Sequence, residues 1–439
     1  MAAISIPPAE PPLPARPGGY GRDARILGAG IALTGLLTAG YFAVASHVLG
    51  PIAAKRLDVL WSIAWVVISV IYRPIEQLLS RSIAERRARG EAPYPLRTPL
   101  MLQAAFAGVF LVAALLARTP LENHAFDGSS GLYWILVTAV LLYAASYFAR
   151  GWLAGHRRFG LYGGLVFMES AARLTFALAV AVGLASGQVA VALGIAVAPL
   201  VSLVVIPAAF ARRRRGEERA APAIPLSGGD RIPSSARRST GFALGVAMIM
   251  VSEQTLLNAG VLTVDATSAD AALAGIVFNV LLIARAPLQL FQAIQTSLLP
   301  HLTAFAARGD DAGFARTIRS TLRTVGAFGM AVVAGLALLG PFVMSHAFGQ
   351  HASYGRAGLA AVGLGMTFHL TAGTLNQAAL ARGRERAAAC AWAVAAAGFL
   401  VWTLLPIVND GLLRVEVGYP IATGALSLGL LAIERARGR

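Results

Sequence analysis

Apolar residues in this chain do not alternate with polar ones at the spacing of a half-buried strand or a surface helix. They run on for twenty residues and more, interrupted by short charged clusters. A helix rises 1.5 Å per residue, so about 20 apolar residues cross a hydrocarbon layer of roughly 30 Å. Twelve runs meet that requirement: 25–49, 58–80, 98–118, 131–149, 160–185, 187–211, 239–262, 271–297, 321–344, 355–381, 387–408 and 412–433. Lipid offers no partner to an open backbone group, and these runs are too long and uniform for barrel strands, so each is predicted as a helix. The pattern predicts an all-α integral membrane protein with about 12 transmembrane helices.

The longest polar interruption, 212–238, reads "RRRRGEERAAPAIPLSGGDRIPSSARR" and leaves six runs on each side. The predicted organisation is a disordered proline-rich tail (1–24), a six-helix lobe (25–211), a basic linker (212–238), a second six-helix lobe (239–433) and a basic tail (434–439). Composition agrees: 57% of residues are hydrophobic and 13% charged, against about a quarter charged in soluble domains. The net charge of +16 raises the question of nucleic acid, and its placement answers it. Of the 37 lysines and arginines, Lys55, Arg56, Arg118, Arg356 and Arg414 fall in one set of loops, and Arg73, Arg173 and Arg285 fall within runs. The rest lie in the other loops and the two tails. That bias puts both termini in the cytoplasm. The inner arginines then face anionic lipid, and no nucleic-acid partner is needed. The N-terminus lacks the long apolar core of a signal peptide. The single cysteine, Cys390, excludes an internal disulfide and a cysteine metal cluster, and reads as a small core residue.

The two halves echo one another. "YRPIEQLLSR" (72–81) and "ARAPLQLFQA" (284–293) each bring an arginine and a proline to the second run of a half, and each is followed by a basic loop, "AERRARGE" (84–91) and "AFAARGDD" (304–311). "LAGHRRFG" (153–160) and "LARGRERA" (380–387) match again between the fourth and fifth runs. Six runs per half is an even number, so the repeat is parallel, with a pseudo-twofold along the membrane normal.

On "YFARGWLAGHRRFGLYGGLVFMESAARL" (147–174) and "LLIARAPLQLFQAIQTSLLPHLTAFAARGDD" (281–311), the chain resembles the multidrug/oligosaccharidyl-lipid/polysaccharide (MOP) exporter superfamily, and within it the polysaccharide-biosynthesis flippases. The likeness spans nearly the whole length in topology and about sixty residues in motif. Some relatives, including lipid II flippases, are expected to have fourteen spans, and this chain has twelve. The resemblance implies a flippase in the bacterial cytoplasmic membrane that carries polyprenyl-diphosphate-linked oligosaccharide by alternating access, with glycan polymerases or glycosyltransferases as partners.

Charges inside the runs are costly and concentrate at cavities or ion pairs. Six occur: Arg73, Glu76, Glu169, Arg173, Glu253 and Arg285. Arg73–Glu76 and Glu169–Arg173 have the spacing of local helical pairs, and Glu253 and Arg285 can pair between neighbouring helices. One reading makes all six structural. The other makes Arg73 and Arg285 equivalent arms that grip a diphosphate, with one glutamate carrying a coupling proton or ion. Asn258, Gln289 and Gln292 extend the polar surface, either to sugar hydroxyls or to interhelical bonds. His369 lies mid-run, as a structural hydrogen-bonding residue or a proton carrier, imidazole being the side chain that switches charge near neutrality. Pro74, Pro199, Pro207, Pro287 and Pro420 are expected to break or bend their helices. Residues 309–324 place Phe314, Ile318 and Leu322 on one face, either as a surface helix or as the start of the ninth span.

No phosphate-loop motif, "HExxH" or Cys/His cluster occurs, so neither cofactor nor metal is expected, and no outer loop is large enough for a catalytic domain. The leading expectation is the lipid-linked glycan flippase. A drug or cation exporter of the same superfamily and a non-transporting scaffold of an envelope glycan assembly complex are the alternatives.

Overall fold

The computed structural model describes residues 19–204, 232–267, 288, 291, 294–347, 355–405, 408 and 410–436. Described residues form helices α1 (Gly19–Arg89), α2 (Arg97–Leu116), α3 (Ser130–Gly155), α4 (Phe159–Ala181), α5 (Gly187–Ser202), α6 (Ile232–Thr267), α7 (294–308), α8 (Asp311–Ala347), α9 (Arg356–Ala381), α10 (Glu385–Leu404) and α11 (Gly411–Arg435). There is no strand among them. Nine helical stretches among the described residues are long and apolar enough to cross a membrane.

At 71 residues, α1 would be roughly 100 Å long if straight, three bilayers' worth. Its path breaks once, at Gly50, where φ is 73° and ψ is 169°. A side chain would be strained there. The first two predicted spans are therefore two helices that meet at a kink on a glycine. Pro74 leaves no such break, because the backbone stays helical on both sides of it. The predicted surface segment 309–324 is the first part of α8, with Phe314 and Ile318 buried in the core. The expected linker is helical from Ile232, while its greater part, 212–231, lies outside the described residues, as do 205–211 of the sixth predicted span and residues 1–18 of the expected tail. The eighth predicted span lies mostly outside them too, with Pro207 and Pro287. Cys390 is exposed, contrary to expectation, because it lies on the outer side of α10.

Two hydrophobic clusters make the cores. One joins residues from Tyr41 to Ala196, and the other joins residues from Phe242 to Leu430 with Leu78 of α1. The large side chains left exposed are apolar, such as Leu116, Val109, Leu338 and Leu428, while Arg150, Glu169 and His369 are buried. An apolar exterior around a polar interior is the arrangement that hydrocarbon demands.

The halves meet near the arginine-rich end. Tyr94 Oη and Ser239 Oγ are 2.9 Å apart, the Arg81 guanidinium lies 4.9 Å from the Phe242 ring centre, and the Phe159 and His301 rings stack at 6.2 Å. Among described residues, no hydrogen bond or ring contact joins the halves at the opposite end. Within the first half, α3 lies directly on α1: a Cβ added at Gly151 would sit 2.7 Å from the Glu76 carbonyl oxygen. Gly151→Val should therefore lower stability by about 1–3 kcal/mol, the usual cost of overpacking. Thermal unfolding of the purified protein checks this, and an unchanged midpoint would mean that the helices do not touch there.

Candidate functional site

One face of α1 carries Trp61, Trp65, Ser69, Arg73, Gln77 and Ser80 at three- and four-residue spacing, the stripe that a helix turns to one side. Its lower part meets the second half. Arg73, Glu76, Gln77 and Ser80 line a cavity of about 10 Å³ with Gln295 and Thr296 of α7 and Gln377 of α9. That is room for roughly one water. The buried Gln77 Oε1, Ser80 Oγ and Gln377 Oε1 have no hydrogen-bond partner. Buried polar atoms are nearly always paired, so a group of unpaired ones facing a single cavity marks a place built for something else.

Arg73 makes no hydrogen bond and closes no ion pair within 4 Å among described residues. The local pair with Glu76 expected from spacing does not form. Glu76 instead accepts a 2.7 Å hydrogen bond from Tyr162 Oη of α4.

The second expected local pair is also corrected. Glu169 turns away from Arg173 and pairs with Arg150 of α3, while Ser146 donates a second hydrogen bond to it. Arg150 stacks on Tyr147, 4.5 Å from the ring centre. Interhelical packing decides the choice: α3 brings a guanidinium to the carboxylate from outside α4. Among described residues Arg173 has no acidic partner. It donates to Ser170 Oγ at 2.7 Å and Thr38 Oγ1 at 3.4 Å, its Nε is buried and unpaired, and it sits 4.4 Å from the Trp61 ring centre, beside the stacked Trp61–Trp65 pair.

In the second half, Glu253 of α6 meets His369 of α9 at 3.4 Å. His369 is fully buried. Its Nδ1 lies 3.2 Å from Tyr419 Oη, and Trp392 packs edge-on at 5.4 Å. Asn258 bonds back to Gln254, at 2.7 Å to the backbone oxygen and 3.3 Å to the side chain. Arg285, Gln289 and Gln292, and with them the expected Glu253–Arg285 pair, lie outside the described residues.

Arg150, Tyr162, Tyr419 and the Trp61–Trp65 shelf are the site residues that pattern reading missed. Arg150 looks like a loop residue because the apolar run stops at 149. Its signal is phase, since it falls four residues after Ser146 on the same face of α3.

Breaking the Arg150–Glu169 pair strands a charge in a nonpolar interior, a loss of roughly 3–5 kcal/mol. Glu169→Gln should therefore destabilise more than Arg173→Gln, and Arg150→Met with Glu169→Leu should recover much of the loss. Equal melting shifts for the two single variants would contradict the pairing.

No protein-family model matches the chain, and no curated protein sequence does. Solved structures do. The chain is similar to a MATE protein in its bent conformation, with TM-score 0.77, 13% identity, and coverage of 95% of this chain and 94% of that one. It is similar to the outward-facing conformation of a multidrug resistance MATE family transporter of the MOP superfamily, with TM-score 0.77, 13% identity, and 95% of both chains covered. It is also similar to a single-site mutant of the Vibrio cholerae MATE transporter VcmN, with TM-score 0.72, 14% identity, and coverage of 96% and 97%. The chain thus has the helical fold of these MATE structures over nearly its full length. The narrower resemblance to polysaccharide flippases finds no counterpart among these structures.

Proposed function

We propose that the chain is a membrane exporter in which two six-helix lobes rock about a shared polar site, opening it alternately to either side. One observation carries this reading. The cavity lined by Arg73, Glu76, Gln77 and Ser80 on one side and by Gln295, Thr296 and Gln377 on the other lies on the boundary between two helical groups, and among described residues the hydrogen-bond and ring contacts that join those groups cluster at the arginine-rich end. Polar and ring contact gathered at one end, as it is among the described residues, fits one state of an alternating-access cycle. The arginine bias makes the closed end cytoplasmic.

The substrate class this reading favours is an organic cation or drug, moved against a proton or another coupling ion. The solved neighbours support it, as do the acidic groups set among aromatics: Glu76 beside Tyr162, and Glu253 beside His369, Tyr419 and Trp392. Glu253–His369 is the proposed coupling pair, because protonation of either partner changes their attraction. A second reading, the polyprenyl-diphosphate-linked glycan, rests on a different observation: Arg73 and Arg173 have no ion-pair partner among described residues, and a guanidinium fork suits a diphosphate.

Proteoliposomes decide between them. With an imposed pH gradient, the cation reading expects efflux of a cationic dye that falls at least about tenfold in Glu253→Gln and in His369→Phe, the loss that follows removal of a ~1.4 kcal/mol interaction. The glycan reading expects flipping of a fluorescent polyprenyl-diphosphate oligosaccharide that collapses in Arg73→Ala. Movement of neither substrate would favour the scaffold and overturn both.

A further inference from the structure

At the arginine-rich end the halves enclose a second polar space. A cavity of about 480 Å³ is lined by Arg81, Glu85 and Arg89 of α1, Arg238 of α6, and the turn between α9 and α10 with Arg384 and Glu385. Arg238, Gly383, Arg384 and Glu385 also wall a neighbouring cavity of about 740 Å³, which adds Arg237 and Arg386. The two spaces share these residues and form one basic hollow built from both halves. Gly383 makes the junction possible. Its φ is 71°, and a Cβ there would lie 3.0 Å from Arg81 Nη2, so the guanidinium of the first half rests on the turn of the second.

The charges in this hollow are not balanced. Arg382 is satisfied elsewhere, by Glu434 and by Asp311 at 3.6 Å. Arg89 pairs with Glu85 at 2.9 Å. Arg81, Arg237, Arg238, Arg384 and Arg386 close no ion pair within 4 Å among described residues, and Glu385 is the one carboxylate left to face them. Arg81 Nε is buried without a partner among described residues; burial pushes the pKa of its guanidinium down, Glu85 and Glu385 oppose that shift, and Arg238 and Arg89 add to it. Like charges held together in a walled space call for an anion.

Depth indicates where that anion comes from. Membrane-crossing stretches begin at Arg237 and at Glu385, and another ends at Arg435. The hollow is lined by Arg237, Glu385 and Ala436, so it lies at the level of the lipid headgroups. We infer that it binds the phosphate of an anionic phospholipid of the cytoplasmic leaflet. A phosphate held by Arg81 on one side and by Arg238 and Arg384 on the other bridges the halves and stabilises the state closed at this end. This inference stands apart from the transported substrate.

The test needs no transport. Spin labels on Ala92→Cys and Ala312→Cys, in a Cys390→Ser background, report the distance between halves in bilayers of phosphatidylcholine with or without phosphatidylglycerol. Phosphatidylglycerol should shift the distances toward the short, closed population. In Arg238→Gln/Arg384→Gln the half-saturating phosphatidylglycerol should rise roughly thirtyfold, from about 1 kcal/mol per lost arginine. Arg386→Gln should show a smaller rise, and Arg319→Gln, on the same face outside the hollow, none. A response in the double variant equal to wild type would overturn the site. The same shift from inorganic phosphate alone would overturn the lipid as its source.

Discussion

Glu169 governs the interior of the first half. A carboxylate in hydrocarbon is tolerable only when its charge is met, and here two neighbouring helices meet it. Arg150 and Ser146 come from α3, and Ser202 Oγ of α5 lies 3.4 Å away. That convergence fixes the rotation of α3, α4 and α5 about their axes. Rotation in turn decides which residues of α4 face α1: Tyr162 reaches Glu76, and Arg173 reaches Trp61. The polar stripe of α1 then faces the other half with Arg73 unpaired. A structural ion pair at the heart of one half thus leaves an uncommitted arginine at the boundary.

The second half shows the same economy on a smaller scale. Its buried polar centre is a glutamate and a histidine instead of a glutamate and an arginine, and the histidine is oriented by Tyr419 Oη. An arginine stays charged at any physiological pH, whereas an imidazole does not. The permanent pair is suited to holding helices and the titratable pair to responding to protons. Arg414 is again a structural arginine. Its guanidinium donates to the Thr403 and Val408 carbonyls and closes the end of α10.

At the arginine-rich end polar and aromatic contacts join the halves beside the apolar packing of Leu78 into the second core. Tyr94, Arg81 and Phe159 meet Ser239, Phe242 and His301. Contacts of that kind separate at modest cost, because water can replace them.

The long apolar helices were legible in the chain because the bilayer acts on every residue alike: a run is apolar enough over about 20 positions or it is not. Which runs carry charge was legible for the same reason. Partners were not. Spacing along one helix favoured Glu169 with Arg173 and Arg73 with Glu76, yet both glutamates found partners on neighbouring helices, at separations of 19 and 86 residues. Cys390 faces outward, and Arg150 faces inward from just beyond the end of a predicted span, because helix phase and crossing geometry set those directions and hydrophobicity does not. The sequence by itself determined that charge lies within the membrane and on which segments. Only the packing of helix against helix decided which charges cancel and which remain, since that choice depends on distances of a few ångströms that no local pattern encodes.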